Sequence, residues 1–449
     1  MNRDDELQNI SSIDGRYRDK TRSLSKYFSE YALIKKRVFV EVEFLKFLSS
    51  KNILPKNYTY EVSELAGLAE RFNLKEARKV KKIEKEINHD VKAVEIYLRN
   101  VFKKNKLDKL SPFIHIGLTS SDTNNIAQVL LLKEFKVEIL DSKLKEIISL
   151  VKKLSLKYAG SVLLARTHGQ PAVPTTFGKE LANYLNRLKK QQNRLKNFKF
   201  EGKLNGAVGN FNALVFTYPN IKWSVFSQQF LKKIGLTANV FTSQMLPYDN
   251  LIEFFQIILI INGILLDLSV DMWLYNMLGI VSLQKSKKQV GSSTMPQKVN
   301  PIEFENAEGN LKMANAMFSL YQDKLLVSRL QRDLSDSTIV RTFGTASSHT
   351  IIAWENIIKG LNYIKFEENK ALEELDEHWE VLSEAVQTYL KSKGDDLGFE
   401  KIKKEVYGKK LTKENYLNMV SKIKDKKTKE LLSKLEPKKY IGNASKLVK

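Results

Sequence analysis

Cysteine is absent from all 449 residues, which removes disulfides, thiolate metal sites and cysteine nucleophiles from consideration. Proline is scarce at 9 residues, and with a hydrophobic fraction of 43% this argues for a chain folded throughout rather than one with disordered tails. The first residues, MNRDDELQNI, hold no apolar stretch of signal-peptide length, so the expected location is the cytoplasm. Sustained polar–apolar alternation is missing as well, as is any internal repeat, and the histidines show no metal-site spacing.

What is abundant is positive charge, a formal +23. It falls largely on lysine pairs such as Lys35-Lys36, Lys81-Lys82, Lys189-Lys190 and Lys232-Lys233, each set within an amphipathic pattern. That distribution fits solvated helix faces rather than a polynucleotide-binding stripe, although an anionic small substrate would still meet the chain faster in such a field.

Nearly every long segment has helical period. Leu33, Val38, Val42, Leu45 and Leu48 line one face over Tyr31 to Leu48, and Leu181, Leu185 and Leu188 do so over Leu181 to Asn197. Breaks are expected at Ile53 to Asn57, Ser111-Pro112, Tyr218-Pro219 and Pro247. From Phe254 to Leu266 the chain is almost continuously apolar. The run is too short to cross a bilayer and is closed by Asp267 and Asp271, so a helix buried all round in a bundle or oligomer is expected, with no membrane partner. The charged, glycine-interrupted stretch from Phe366 reads as a separate small helical domain, which gives a division into residues 1–111, 112–365 and 366–449.

The stretch Gly291 to Pro301, GSSTMPQKVNP, sets two hydroxyls and Lys298 ahead of a helix start. Asn300 suits an N-cap, Pro301 the first helical position, and Glu303 can reach back to the cap's amide. Loop and helix end together offer an anion site. On spacing alone, a Ser-rich turn ahead of an ordinary helix is an equal reading.

Other polar clusters break the helical pattern: Asn88-His89-Asp90, Thr119-Ser120-Ser121-Asp122 after Gly117, and Thr167-His168-Gly169-Gln170-Pro171. His168 sits where a loop would hold it for proton transfer, with a satisfied structural histidine as the alternative. Lys203-Leu-Asn-Gly-Ala-Val-Gly-Asn-Phe-Asn212 lacks the Lys-Ser/Thr ending of a phosphate-cradling loop, so a nucleotide fold is rejected there. Arg332, Ser337 and Arg341 could grip a phosphate, or the arginines could form salt bridges to Asp333 or Asp336.

Together these blocks resemble one group. Gly291-Ser-Ser-Thr-Met-Pro-Gln-Lys-Val-Asn-Pro301 is similar to the signature loop of the fumarase and aspartase superfamily, Gly-Ser-Ser-x-Met-Pro-x-Lys-x-Asn-Pro. Ser12-Ile-Asp-Gly-Arg-Tyr17, Asn88-His-Asp-Val-Lys-Ala-Val-Glu95, Arg166-Thr-His-Gly-Gln-Pro171, Lys203-Leu-Asn-Gly-Ala-Val-Gly-Asn210 and Gln331-Arg-Asp-Leu-Ser-Asp-Ser-Thr338 resemble its adenylosuccinate lyase branch, and the resemblance runs to Tyr440-Ile-Gly442. Gln297 stands at a position that varies among such relatives.

The resemblance implies an all-α, three-domain subunit whose long helices join those of three other subunits in a twenty-helix core, with active sites shared between subunits of a homotetramer. It implies β-elimination of fumarate from adenylosuccinate and from the succinyl-carboxamide ribotide of purine biosynthesis, with no cofactor, metal or nucleic acid. Ser292 would be the base, Ser293 a loop-structuring or substrate-contacting residue, and His168 the general acid; Lys298 and Asn300 would stabilise the dianionic intermediate. Arg16 and Tyr17 would meet the nucleotide phosphate region with Arg332, Ser337 and Arg341. His89, with Asn88 and Asp90, would lie beside the substrate; Thr119 and Ser120 would hold a succinyl carboxylate, and Gln244 the succinyl or purine portion. Asn306 and Arg329 are further candidates. Other superfamily lyases acting on argininosuccinate, malate or aspartate, or the carboxymuconate cycloisomerase, share the loop but have no use for a phosphate grip. A basic helical nucleic-acid-binding protein would explain the charge but not the loop.

Overall fold

The computed structural model describes residues 7–55, 58–284, 295, 297–395, 402, 404 and 406–448. Helix accounts for 65% and strand for 5%, so the fold is all-α. The main helices are α1 (Glu30–Ser50), α2 (Leu74–Ile87), α3 (Asp90–Lys104), α4 (Ser120–Phe135), α5 (Asp141–Lys157), α6 (Phe177–Asn197), α7 (Trp223–Lys233), α8 (Asp249–Met277), α9 (Ile302–Leu325) and α10 (Phe343–Tyr363). The smaller α11 (Glu368–Asp376), α12 (Ser383–Ser392), α13 (Lys413–Ser421) and α14 (Lys426–Ser433) follow.

The chain divides into two compact units, each assembled from separate stretches. The first comprises Met1–Lys143, Gln192–Asn262 and Asn310–Ile352; the second comprises Leu144–Gln191, Gly263–Gly309 and Ala353–Lys449. In the first unit Phe44 and Phe47 of α1 meet Phe226 and Phe230 of α7 at centroid distances of 4.8 to 6.2 Å. Phe255, Phe318, Tyr321 and Phe343 form a second aromatic cluster in the same unit. In the second unit Phe177 stacks on Phe366 at 5.3 Å, and Leu164 packs with Trp379, Leu382, Tyr416, Val420 and Leu432 around the C-terminal helices.

Three features depart from the sequence reading. Strands do occur, as three two-stranded sheets among the described residues: β1 (Val162–Thr167) with β2 (Gln170–Thr176), β3 (Glu201–Gly202) with β4 (Thr237–Ala238), and β5 (Val281–Leu283) with β6 (Ile364–Phe366). The first is an antiparallel hairpin in which Thr167 faces Gln170.

The helix after the signature loop begins at Ile302, not Asn300. Its first turn starts with the amides of Phe304 and Glu305 donating to the Pro301 carbonyl at 3.0 and 3.2 Å, and the Glu303 side chain is buried against Lys359 Nζ at 3.1 Å. Proline cannot donate, so it stands at the boundary and supplies its carbonyl instead.

Finally, α8 runs well beyond the apolar run at both ends. Its 29 residues are long and apolar enough, by length and composition, to cross a bilayer, contrary to expectation. Within the apolar run itself, Phe254 to Leu266, no residue is exposed, whereas Val270, Trp273, Leu274 and Met277 beyond it are. Asp267 pairs with Arg187 at 2.6 Å and Asp271 accepts a hydrogen bond from Tyr184, which anchors its acidic positions in protein.

Candidate active site

In the first unit several broken helix ends converge on one cavity of about 750 Å³. Helix α2 stops because Asn88 adopts a left-handed conformation at φ 54, and α3 begins at Asp90, capped by His89, whose Nδ1 accepts from the Lys92 amide at 3.1 Å. With Nδ1 acting as acceptor, Nε2 carries the proton and is available as a donor. Asp90 accepts from the Val91 amide at 2.8 Å and from Arg37 Nη2 at 2.5 Å. Burial pushes the Asp90 carboxyl up, but the Arg37 charge and the Val91 and His89 groups outweigh it and hold the carboxyl below its ordinary range. Arg37 also donates from Nε to Asn124 Oδ1 at 2.7 Å, which ties α1, α3 and α4 together beside the cavity.

Across from this block, α4 opens at Thr119. The Thr119 amide donates to Asp122 Oδ2 at 2.9 Å, one half of a capping box. The first-turn amides and the hydroxyls of Thr119 and Ser120 therefore sit at the positive end of a helix. Gln244 and Met245 line another wall, and the Ser121 hydroxyl donates to Met245 Sδ at 3.4 Å.

Arg332, Ser337 and Arg341 close the cavity. Arg332 Nη1 lies 3.4 Å from Asp336 Oδ2, which also accepts from Tyr248 Oη at 2.7 Å. The salt-bridge reading thus holds for Arg332, and the same guanidinium still faces the cavity. Burial, with the Asp336 charge, pushes the Tyr248 hydroxyl well up, so it remains a neutral donor.

Asn88, His89, Asp90, Thr119, Ser120, Gln244, Arg332, Ser337 and Arg341 are therefore brought to one wall system. Arg16 and Tyr17 belong to the same unit but do not line this cavity, and Arg329 is exposed beside Asp333, its amide donating to that carboxylate at 3.0 Å. His168, Lys298, Asn300 and Asn306 belong to the second unit. His168 and Gly169, at φ 54 and 74, form the two-residue turn of the β1–β2 hairpin, which presents the imidazole on an exposed tip. The Lys298 amide donates to Met295 O at 3.0 Å, and Asn306 accepts from Asn356. Ser292 and Ser293 lie outside the described residues.

Sequence reasoning missed Arg37, Asn124, Gln128, Tyr248 and Asp336 as lining residues. Asp122 carried a usable signal, the Thr-x-x-Asp spacing of a capping box. Arg37 carried none, since a lone arginine on an amphipathic helix reads as solvated surface. Three guanidinium groups, a helix N-terminus and a histidine donor make the cavity suited to an anionic ligand rich in oxygen acceptors.

Residues 15–317 match the family described as Lyase, and residues 328–441 match the family described as Adenylosuccinate lyase C-terminal. The chain is 42% identical over 99% of its length to the adenylosuccinate lyase of Legionella pneumophila (strain Corby), covering 98% of that protein. It is 38% identical to that of Escherichia coli (strain K12), with 98% of each chain covered. Among solved structures, the 3-carboxy-cis,cis-muconate lactonizing enzyme from Pseudomonas putida superposes with a TM-score of 0.77 at 20% identity, over 95% of both chains. A fumarate lyase from Mesorhizobium sp. BNC1 superposes at 0.75 and 17%, over 96% of both. These structural likenesses concern the fold.

Proposed function

From the premise that this chain belongs to the adenylosuccinate lyase family, we propose that it eliminates fumarate from adenylosuccinate, leaving AMP, and from the succinyl-carboxamide ribotide, leaving the carboxamide ribotide, as a step of purine biosynthesis. The observation that carries this reading is the cavity in which Arg332, Ser337 and Arg341 lie with Thr119, Ser120 and the His89 block. Such a cavity offers separate grips for a phosphate and for a dicarboxylate.

In the reaction, Ser292 removes a proton from the carbon beside a succinyl carboxylate. The resulting dianion is stabilised by Lys298 and Asn300; removing one preorganised donor of this kind costs about a hundredfold or more in rate. The carbon–nitrogen bond then breaks, its electrons pass to the purine nitrogen, and His168 delivers the proton that nitrogen needs. A double bond forms between the two succinyl carbons, and fumarate departs. A serine hydroxyl serves as base only when the loop closes and excludes water. Asn88, His89 and Asp90 lie beside the substrate; Thr119 and Ser120 hold a succinyl carboxylate, Gln244 binds the succinyl or purine portion, and Arg16 and Tyr17 reach the phosphate region. Asn306 and Arg329 assist binding.

The subunit is a three-domain chain, residues 1–111, 112–365 and 366–449, and assembles as a cytoplasmic homotetramer around a twenty-helix core, with each site shared between subunits. The exposed apolar side chains of α8, Val270, Trp273, Leu274 and Met277, support an assembly that covers them.

An absorbance assay with adenylosuccinate, argininosuccinate and malate tests the reading. Turnover of adenylosuccinate alone is expected. Turnover of either of the others, or of none, sinks it.

A further inference from the structure

The site as described makes no use of a fully buried ion pair in the first unit. Lys203 Nζ lies 2.7 Å from Asp122 Oδ1, and neither side chain has any exposed surface. Such a pair is a poor source of stability, because the desolvation of two charges offsets most of their attraction, and apolar residues of equal volume commonly do as well. Its geometry suggests another task.

Asp122 is saturated. Oδ1 accepts from Lys203 Nζ and from the Asn205 amide at 3.1 Å, while Oδ2 accepts from the Thr119 amide at 2.9 Å and the Gly206 amide at 3.1 Å. Lys203 Nζ donates a second bond to the Gly206 carbonyl at 3.0 Å. The backbone of Lys203 is gripped in turn by α4, its amide donating to Asn125 Oδ1 at 2.9 Å and its carbonyl accepting from Asn125 Nδ2 at 3.1 Å. On its far side the same loop holds the Gln244 segment: Asn205 Nδ2 donates to Thr242 Oγ1 at 2.8 Å and to the Val240 carbonyl at 3.3 Å. Gly209, at φ +84, packs so closely there that an added Cβ would stand 2.2 Å from the Thr242 carbonyl.

We infer that Lys203 is a positioning residue: with Asn205 it fixes the Thr119-Ser120 end of α4 against the Gln244 segment, and so sets the spacing of the grip on the dicarboxylate half of the substrate. This rests on the functional reading above. Neutralising Lys203 leaves Asp122 buried without its cation and loosens the amide of Thr119, whereas the walls bearing Arg332, Ser337 and Arg341 make none of these bonds.

The test uses the assembled enzyme with Lys203→Met and, separately, Asn205→Ala, which keeps the ion pair. Fumarate and AMP are titrated singly, in the absence of turnover. Fumarate affinity is expected to fall about tenfold, the value of one well-made hydrogen bond, with AMP affinity unchanged. The turnover of adenylosuccinate should fall by up to about a hundredfold, as for an ångström-scale misplacement. Equal weakening of both products, or of neither, overturns the inference, and Asn205→Ala decides by the same criterion if Lys203→Met does not fold. Failure of the unaltered enzyme to turn over adenylosuccinate would instead sink the functional reading, a result the product titrations do not depend on.

Discussion

Arg37 and Asp90 form an ion pair in which the guanidinium is buried and the carboxylate is a third exposed, with Nη2 2.5 Å from Oδ2. Nε of the same guanidinium is spent on Asn124, and Nη1 is buried without an acceptor. The arrangement makes Arg37 the hinge pin between the His89-Asp90 block and the flank of α4.

Arg37→Met should therefore destabilise the protein at neutral pH by about 2 kcal/mol, less than for a sealed pair because Asp90 is partly solvated. Because the folded Asp90 carboxyl is held below its ordinary 3.8, its contribution is present above that value and fades as pH falls through the lower, folded one. Thermal melting of both proteins at pH 7 and in acid checks this: the gap must close on the acid side, and a gap independent of pH would rule out the charge pair as its source.

At the tip of the β1–β2 hairpin, His168 combines a left-handed backbone with the proposed proton donor. His168→Asn separates the two, since asparagine tolerates that conformation but cannot supply the proton. Circular dichroism and melting should be unchanged while turnover drops about a hundredfold to ten-thousandfold. Retained turnover would remove His168 from the role of acid.

The shared-site proposal predicts that two dead enzymes can revive one another. Ser292→Ala and His168→Asn, each inactive alone, should regain partial activity when mixed under conditions that exchange subunits, because hybrid tetramers contain some sites free of both changes. Exchange demonstrated by mass without any recovery would refute sites built from several subunits.

His115 offers a pH test away from the site. Its Nδ1 lies 2.8 Å from Glu41 Oε1, and its backbone amide donates to Oε2 at 3.1 Å; Thr123 donates to the same carboxylate, and Glu95 lies 4.0 Å from Nε2. Burial pushes the imidazole down, but the bond to Glu41 and the charges of Glu41, Glu95 and Asp122 outweigh it, so it titrates above its ordinary 6.5. The stabilisation is complete below 6.5 and is lost as pH rises through the folded value. Relative to His115→Asn, which suits the left-handed backbone at φ 61, the melting advantage of the native protein should shrink between pH 6 and pH 9. An advantage that grows over that range would overturn the assignment.

Legibility in the sequence followed the range of the forces involved. Helices α1 and α6 were readable because their apolar spacing is local, and the breaks at Asn88 and Thr119 because caps act within one turn. The β1–β2 hairpin was not, since the apolar residues of VLLART run together without alternation and Gln170–Thr176 carries prolines at 171 and 174. Polar clusters announced Asp90, Thr119 and Arg341, yet Arg37, Glu41 and Tyr248 sit within ordinary helical patterns or beside them. Their roles come from partners tens of residues away, such as Asp90 for Arg37 and Asp336 for Tyr248.

The interleaving of the two units bears on how the chain is made. The first unit takes its last stretch from Asn310–Ile352, and the second reaches back to Leu144. Neither can close while the N-terminal third alone has left the ribosome. At roughly ten residues per second the first unit waits about half a minute for its final segment. During that time α1 to α4 emerge with Phe44 and Phe47 uncovered until α7 arrives, so early-emerging aromatic surface, more than the finished enzyme, is where a cell's holding chaperones would find this protein.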